Sequence, residues 1–105
     1  MTRAKDAVGA YGERVAVRKL SETGMRVIER NWRCATGEID IVAMDGKTLV
    51  FCEVKTRRGD GFPPVEAVDR VKVRRLRALA ATWLSQHPQV RGPIRFDVVS
   101  VVARP

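Results

Sequence analysis

The spacing of hydrophobic and polar positions changes several times along the chain, and each change marks an element. Between Ala7 and Glu22, Gly9, Ala10, Ala16, Val17 and Leu20 recur at helical spacing, with Glu13 the one charged member of their stripe. Asp6 suits the N-cap of this helix and Gly24 its left-handed stop. MRVIERNW (25–32) reads as a strand interrupted by charge, as strands near a sheet edge are. GEIDIVAM (37–44) and TLVFCEVKT (48–56) read as two further strands, with Asp45-Gly46 the turn between them. The Gly/Pro-rich RRGDGFPP then breaks the pattern. A second helix is predicted from about Glu66 to Ser85, with Val68, Leu76, Leu79, Ala80 and Trp83 at helical spacing. After HPQVRGP, the β-branched run RFDVVSVVA (95–103) predicts a last strand buried on both faces.

The order is αβββαβ. A three-strand meander, a helical crossover and a final strand parallel to the third give an α/β fold, one mixed sheet flanked by helices. With 105 residues and 45% apolar composition, the chain has the size and the core of one domain, residues 1–105. No apolar run approaches bilayer length and MTRAKDAVGAYGER lacks the apolar stretch of a signal peptide. A cytoplasmic protein with no membrane partner is therefore expected. Cys34 and Cys52 form no CxxC and His87 is the only histidine, so reduced thiols and no zinc site are expected. Lys and Arg number 20 against 12 acidic residues, a formal charge of +8, which favours a polyanionic partner, nucleic acid first.

Against that background three carboxylates gather. Alternation puts Glu38, Asp40 and Val42 on one face of the second strand, opposite Ile39, Ile41 and Ala43, and puts Leu49, Phe51, Glu53 and Lys55 on one face of the third. A two-residue Asp45-Gly46 loop pairs Met44 with Lys47, leaving Asp40 opposite Phe51 and Glu38 opposite Glu53. A four-residue loop pairs Asp40 with Glu53 directly, and a three-residue loop separates them. Either even-numbered loop clusters the acids. Such patterns also describe the solvated faces of amphipathic strands, but Val42, Leu49 and Phe51 share this face, so it is partly covered. Like charges about 5 Å apart repel by roughly 3 kcal/mol at an effective dielectric near 20. A divalent cation, Mg²⁺ or Mn²⁺, held by Asp40 and Glu53 would relieve this and could activate water against a phosphodiester. Lys55, about 7 Å along from Glu53, could stabilise the developing charge. Glu13 needs a partner on its apolar stripe, either an arginine or the same cation. Lys72 either contacts phosphate or simply reaches out past the core.

The combination of an acid on helix one, Asp on strand two and Glu-x-Lys on strand three resembles the PD-(D/E)xK, restriction-endonuclease-like nucleases, with archaeal Holliday-junction resolvases nearest. More closely, GERVA (12–16), NWRCATGEIDIVA (31–43), VFCEVKTR (50–57) and RFDVV (95–99) resemble the YraN-like family of small bacterial proteins, over nearly the whole chain. This resemblance implies a restriction-endonuclease-like core, with Asp40, Glu53 and Glu13 as metal ligands, Lys55 as the catalytic lysine and Glu38 supporting the ligands from behind. Ile39 stands where proline often precedes the motif aspartate.

The function expected is a Mg²⁺- or Mn²⁺-dependent endonuclease acting on DNA, selective for branched or junction structures rather than sequence. Arg57, Arg58, Lys72, Arg74, Arg75 and Arg77 are the candidates for phosphate contacts. A resolvase-like homodimer would supply two cuts. Two rivals stand beside it: a nucleic-acid-binding protein of the same fold that does not cleave, and a protein-interaction domain whose acidic patch docks a basic partner.

Overall fold

A computed structural model describes residues 7–58 and 70–103. Asp6, the RRGDGFPP segment beyond Arg58, Val68 and the expected first turn of the second helix lie outside them, as do the side chains of Arg58 and Lys72. The order is α1 (Ala7–Glu22), β1 (Arg26–Cys34), β2 (Gly37–Asp45), β3 (Thr48–Arg58), α2 (Arg70–Ser85) and β4 (Ile94–Ala103). The four strands form one mixed sheet in the order β1-β2-β3-β4, antiparallel except for the parallel β3–β4 pair. This is the α/β arrangement read from the sequence, a mixed sheet flanked by two helices and consistent with a restriction-endonuclease-like core.

Each helix covers one face. Ala16 and Leu20 of α1 pack on Ile41, Ala43, Val50, Cys52 and Val101, while Leu76, Leu79, Ala80 and Trp83 of α2 pack on Trp32, Ile39, Val42, Leu49 and Phe51. Small residues let α1 approach closely: a methyl group added at Gly12 would overlap the side chain of Thr56 on β3. Trp83 anchors the other face, with Phe51 edge-on at 5.6 Å and its Nε1 donating to Glu29 Oε1 at 2.9 Å.

Three expectations need correction. First, the β2–β3 turn is Gly46-Lys47, because Asp45 still pairs with Thr48 and Gly46 takes the left-handed φ of 61°. Met44 therefore faces Leu49, not Lys47, and the register is the one that brings Asp40 level with Glu53. Second, β4 is not buried on both faces. It is the outer strand, and Val101 alone among its residues is buried; its β-branched side chains are half-covered by α1 on one side and by the α2 cluster, through Phe96, on the other. Third, Ile39 does not share a face with Ile41. Ile39 belongs to the α2 side and Ile41 to the α1 side. Across the ladder, Trp32 pairs with Ile39 and Arg30 with Ile41, and the intervening Asn31 has φ 54°. A left-handed residue in β1 rotates the strand, and both partners change face at Asn31 and Asp40.

Candidate active site in the cleft between β2 and β3

The face change decides where Asp40 goes. Pairing between β2 and β3 ends at Ile41–Cys52. One residue further, the Asp40 carboxylate takes over: Oδ2 accepts the Val54 N–H at 2.7 Å. A side chain thus stands where a ladder bond would continue, and the strands part into a cleft of about 730 Å³ on the α2 side. Asp40, Glu53, Lys55, Glu38 and the arginines Arg33 and Arg75 line it, and Leu76 and Leu79 contribute its apolar wall. The sheet therefore delivers Asp40, Glu53 and Lys55 to one volume.

The cleft is electrostatically mixed. Lys55 Nζ lies 2.8 Å from Glu53 Oε2, and Arg33 Nε lies 3.1 Å from Glu38 Oε2, all four side chains partly exposed. Ion pairs exposed to this degree are worth at most about 1 kcal/mol. A ligand carrying its own charge can exchange with them. Asp40 is deeper, only 9% exposed.

Glu13 sits elsewhere. Its side chain is 3% exposed, on the α1 side, with Arg30 Nη2 3.6 Å from Oε1, and it lines a second depression with Arg14, Asn31 and Arg33. Among the described residues no three His, Cys, Asp or Glu side chains converge closely enough to hold a metal ion. Asp40, Glu53 and Glu38 are the carboxylates that line the cleft, with Lys55 paired to Glu53.

Of the basic candidates, Arg75 reaches the cleft wall, Arg74 is exposed beside it on α2, and Arg57 follows Lys55 by two residues on β3, partly buried. Arg77 lies 5.7 Å over the ring of Phe96. Arg33 was not evident from the pattern that ends β1 at Trp32. The strand continues to Cys34 and turns through Ala35-Thr36, which places Arg33 across from Glu38. The opposite charges at those two positions, flanking a CATG turn, were the available signal. Cys34 also lines the cleft; a hydrogen bond with Thr36, at 3.4 Å between Sγ and Oγ1, holds its thiol below the usual cysteine range. Cys52 is the opposite case, pushed up to about 12 by burial first and by the nearby Asp97 charge second.

Residues 12–101, which carry every one of these groups, match the family model described as Uncharacterised protein family UPF0102. The chain belongs to UPF0102. It is 60% identical over 101 residues to a UPF0102 protein of Kineococcus radiotolerans, covering 94% of this chain and 83% of that one. UPF0102 proteins of Beutenbergia cavernae and Streptomyces griseus are 59% and 58% identical, with 95% and 94% of this chain and 86% and 85% of theirs covered. UPF0102 membership thus spans helix, cleft and sheet together.

Proposed function

We propose that this UPF0102 chain is a PD-(D/E)xK-type endonuclease that hydrolyses phosphodiester bonds in DNA with Mg²⁺ or Mn²⁺, favouring branched or junction structures. The observation that carries the reading is the shared cleft of Asp40, Glu53 and Lys55, at the point where β2 and β3 separate. The donor set fits such an ion: carboxylate oxygens are hard ligands, and Mg²⁺ is commonly held by one or two carboxylates with water and substrate phosphate completing its shell. Bound there, it would polarise the phosphate and lower the pKa of an attacking water.

The chain's own groups do the rest. The Asp40–Val54 hydrogen bond fixes one carboxylate against the backbone, so it needs little reorganisation to take up a ligand. Lys55 exchanges Glu53 for the phosphate oxygens, where its ammonium meets the charge that grows during attack. Arg75 on the cleft wall, with Arg57 and Arg74 beside it, holds neighbouring phosphates without reading bases. The apolar wall of Leu76 and Leu79 limits water at the reacting group.

A second reading has an observation in its favour. Glu53 and Glu38 each already have a basic partner within the chain, which suits a module that binds nucleic acid without cutting it. Incubation of purified protein with branched DNA separates the two. Mg²⁺- or Mn²⁺-dependent nicking that disappears in Asp40→Ala supports the enzyme; tight binding with no nicking in either metal supports the binding module.

A further inference from the structure

The depression on the α1 side of β1 has a composition of its own. Its volume is about 460 Å³, and Ala10, Glu13, Arg14, Arg30, Asn31 and Arg33 line it. Three arginines thus line it with one carboxylate, and that carboxylate is buried, with Arg30 Nη2 3.6 Å away. Arg30 is paired with Glu13 and Arg33 with Glu38, so the positive excess rests on Arg14, which is exposed. Guanidinium groups present a planar fork of donors that matches phosphate oxygens, so a concavity walled by them selects an oxyanion over other solutes. Asn31, turned outward by its left-handed backbone, adds an amide donor at the same place.

One residue ties this depression to the cleft: Arg33 lines both. We propose that the α1–β1 depression is a second phosphate subsite, which holds one backbone phosphate of a DNA strand that also passes through the carboxylate cleft. This rests on the nucleic-acid reading of the cleft. It adds a path: the strand crosses the end of β1 at Arg33 and continues along Arg14 and Arg30, rather than following α2 alone. Glu13 serves there by holding Arg30 in place.

The test is equilibrium binding of a fluorescein-labelled branched DNA to the full chain in EDTA, over a range of NaCl concentrations, for wild type, Arg14→Gln and Arg75→Gln. Arg14 is chosen because it is exposed, whereas replacing Arg30 would also break its ion pair with the buried Glu13. Thermal melts of each variant check that the fold is intact. Arg14→Gln should weaken binding about tenfold at low salt. It should also reduce the slope of log K against log salt by about 0.9, the loss of one phosphate contact. Unchanged affinity in Arg14→Gln, or weaker binding with an unchanged slope, overturns the subsite; if Arg75→Gln still lowers both quantities, the nucleic-acid reading stands without it. A wild-type chain that does not bind DNA overturns both.

Discussion

At the scale of single residues, Asp40 has two jobs that can be separated. Its Oδ2 accepts the Val54 N–H, and its charge faces the cleft. Asp40→Asn retains a carbonyl acceptor for Val54 and removes the charge, so the variant should fold while metal-dependent nicking falls by about 10³-fold, the loss of several kcal/mol of charge stabilisation. Single-turnover rates of nicking on branched DNA measure this. Cys52 gives an independent check on burial. Its pKa is raised from 9.0 to about 12. A folded-state value above the unfolded one means that the protonated thiol's contribution to stability is complete below about pH 9 and is lost as pH climbs toward 12. The stability difference between wild type and Cys52→Ala, from urea melts, should therefore narrow above pH 9. At pH 8, iodoacetamide should label Cys34 and spare Cys52 in the folded chain.

At the scale of elements, the cleft depends on two local departures from regular geometry. The first is the left-handed Asn31, which turns both β1 and β2 over between Ile39 and Ile41. Asn31→Gly should be tolerated, whereas Asn31→Val should cost about 1–2 kcal/mol in urea unfolding, because a β-branched residue resists positive φ. The second is the close seat of α1: Gly12→Ala should destabilise by about 1–3 kcal/mol, since Thr56 and the β3 backbone have to move. These departures also mark the limit of what the pattern of residues conveys. Helical spacing of Leu76, Leu79, Ala80 and Trp83 located the α2 face correctly, and the bounds of α1 agree with those of the structure. Strict alternation, however, assumes an unbroken pleat, and it put Ile39 on the wrong face because Asn31, a residue type that tolerates the left-handed region, lies inside a run that otherwise reads as regular strand. The continuous apolar run of β4 suggested a strand buried on both faces, yet among the described residues β4 pairs with β3 alone, and half-burial under the helices is enough to favour Val and Phe there. For the site, E-x-K on β3 placed Glu53 and Lys55 on the same face because β3 does keep its pleat. The position of Glu13 was not legible, since the sequence specifies its buried stripe but not the angle at which α1 crosses β1.

At the scale of the whole molecule, the +8 charge and the acidic cleft are complementary rather than contradictory. Arg33 and Arg75 line the cleft beside Asp40, Glu53 and Glu38, so under the proposed reading a polyanion would be drawn in by the basic surface and would need a cation where it met the carboxylates. Among the described residues no helix is long and apolar enough to cross a membrane. DNA affinity should fall steeply with salt, by about three orders of magnitude between 50 and 200 mM if six phosphates are engaged. In the proposed site, Asp40 and Glu53 would jointly hold one divalent cation. Titration of the chain with Mn²⁺, followed by electron paramagnetic resonance of the free ion, tests it most directly. One competable site per chain, displaced by Mg²⁺ and absent from both Asp40→Asn and Glu53→Gln, is the result expected. No uptake of Mn²⁺, or uptake that both substitutions leave intact, would contradict it.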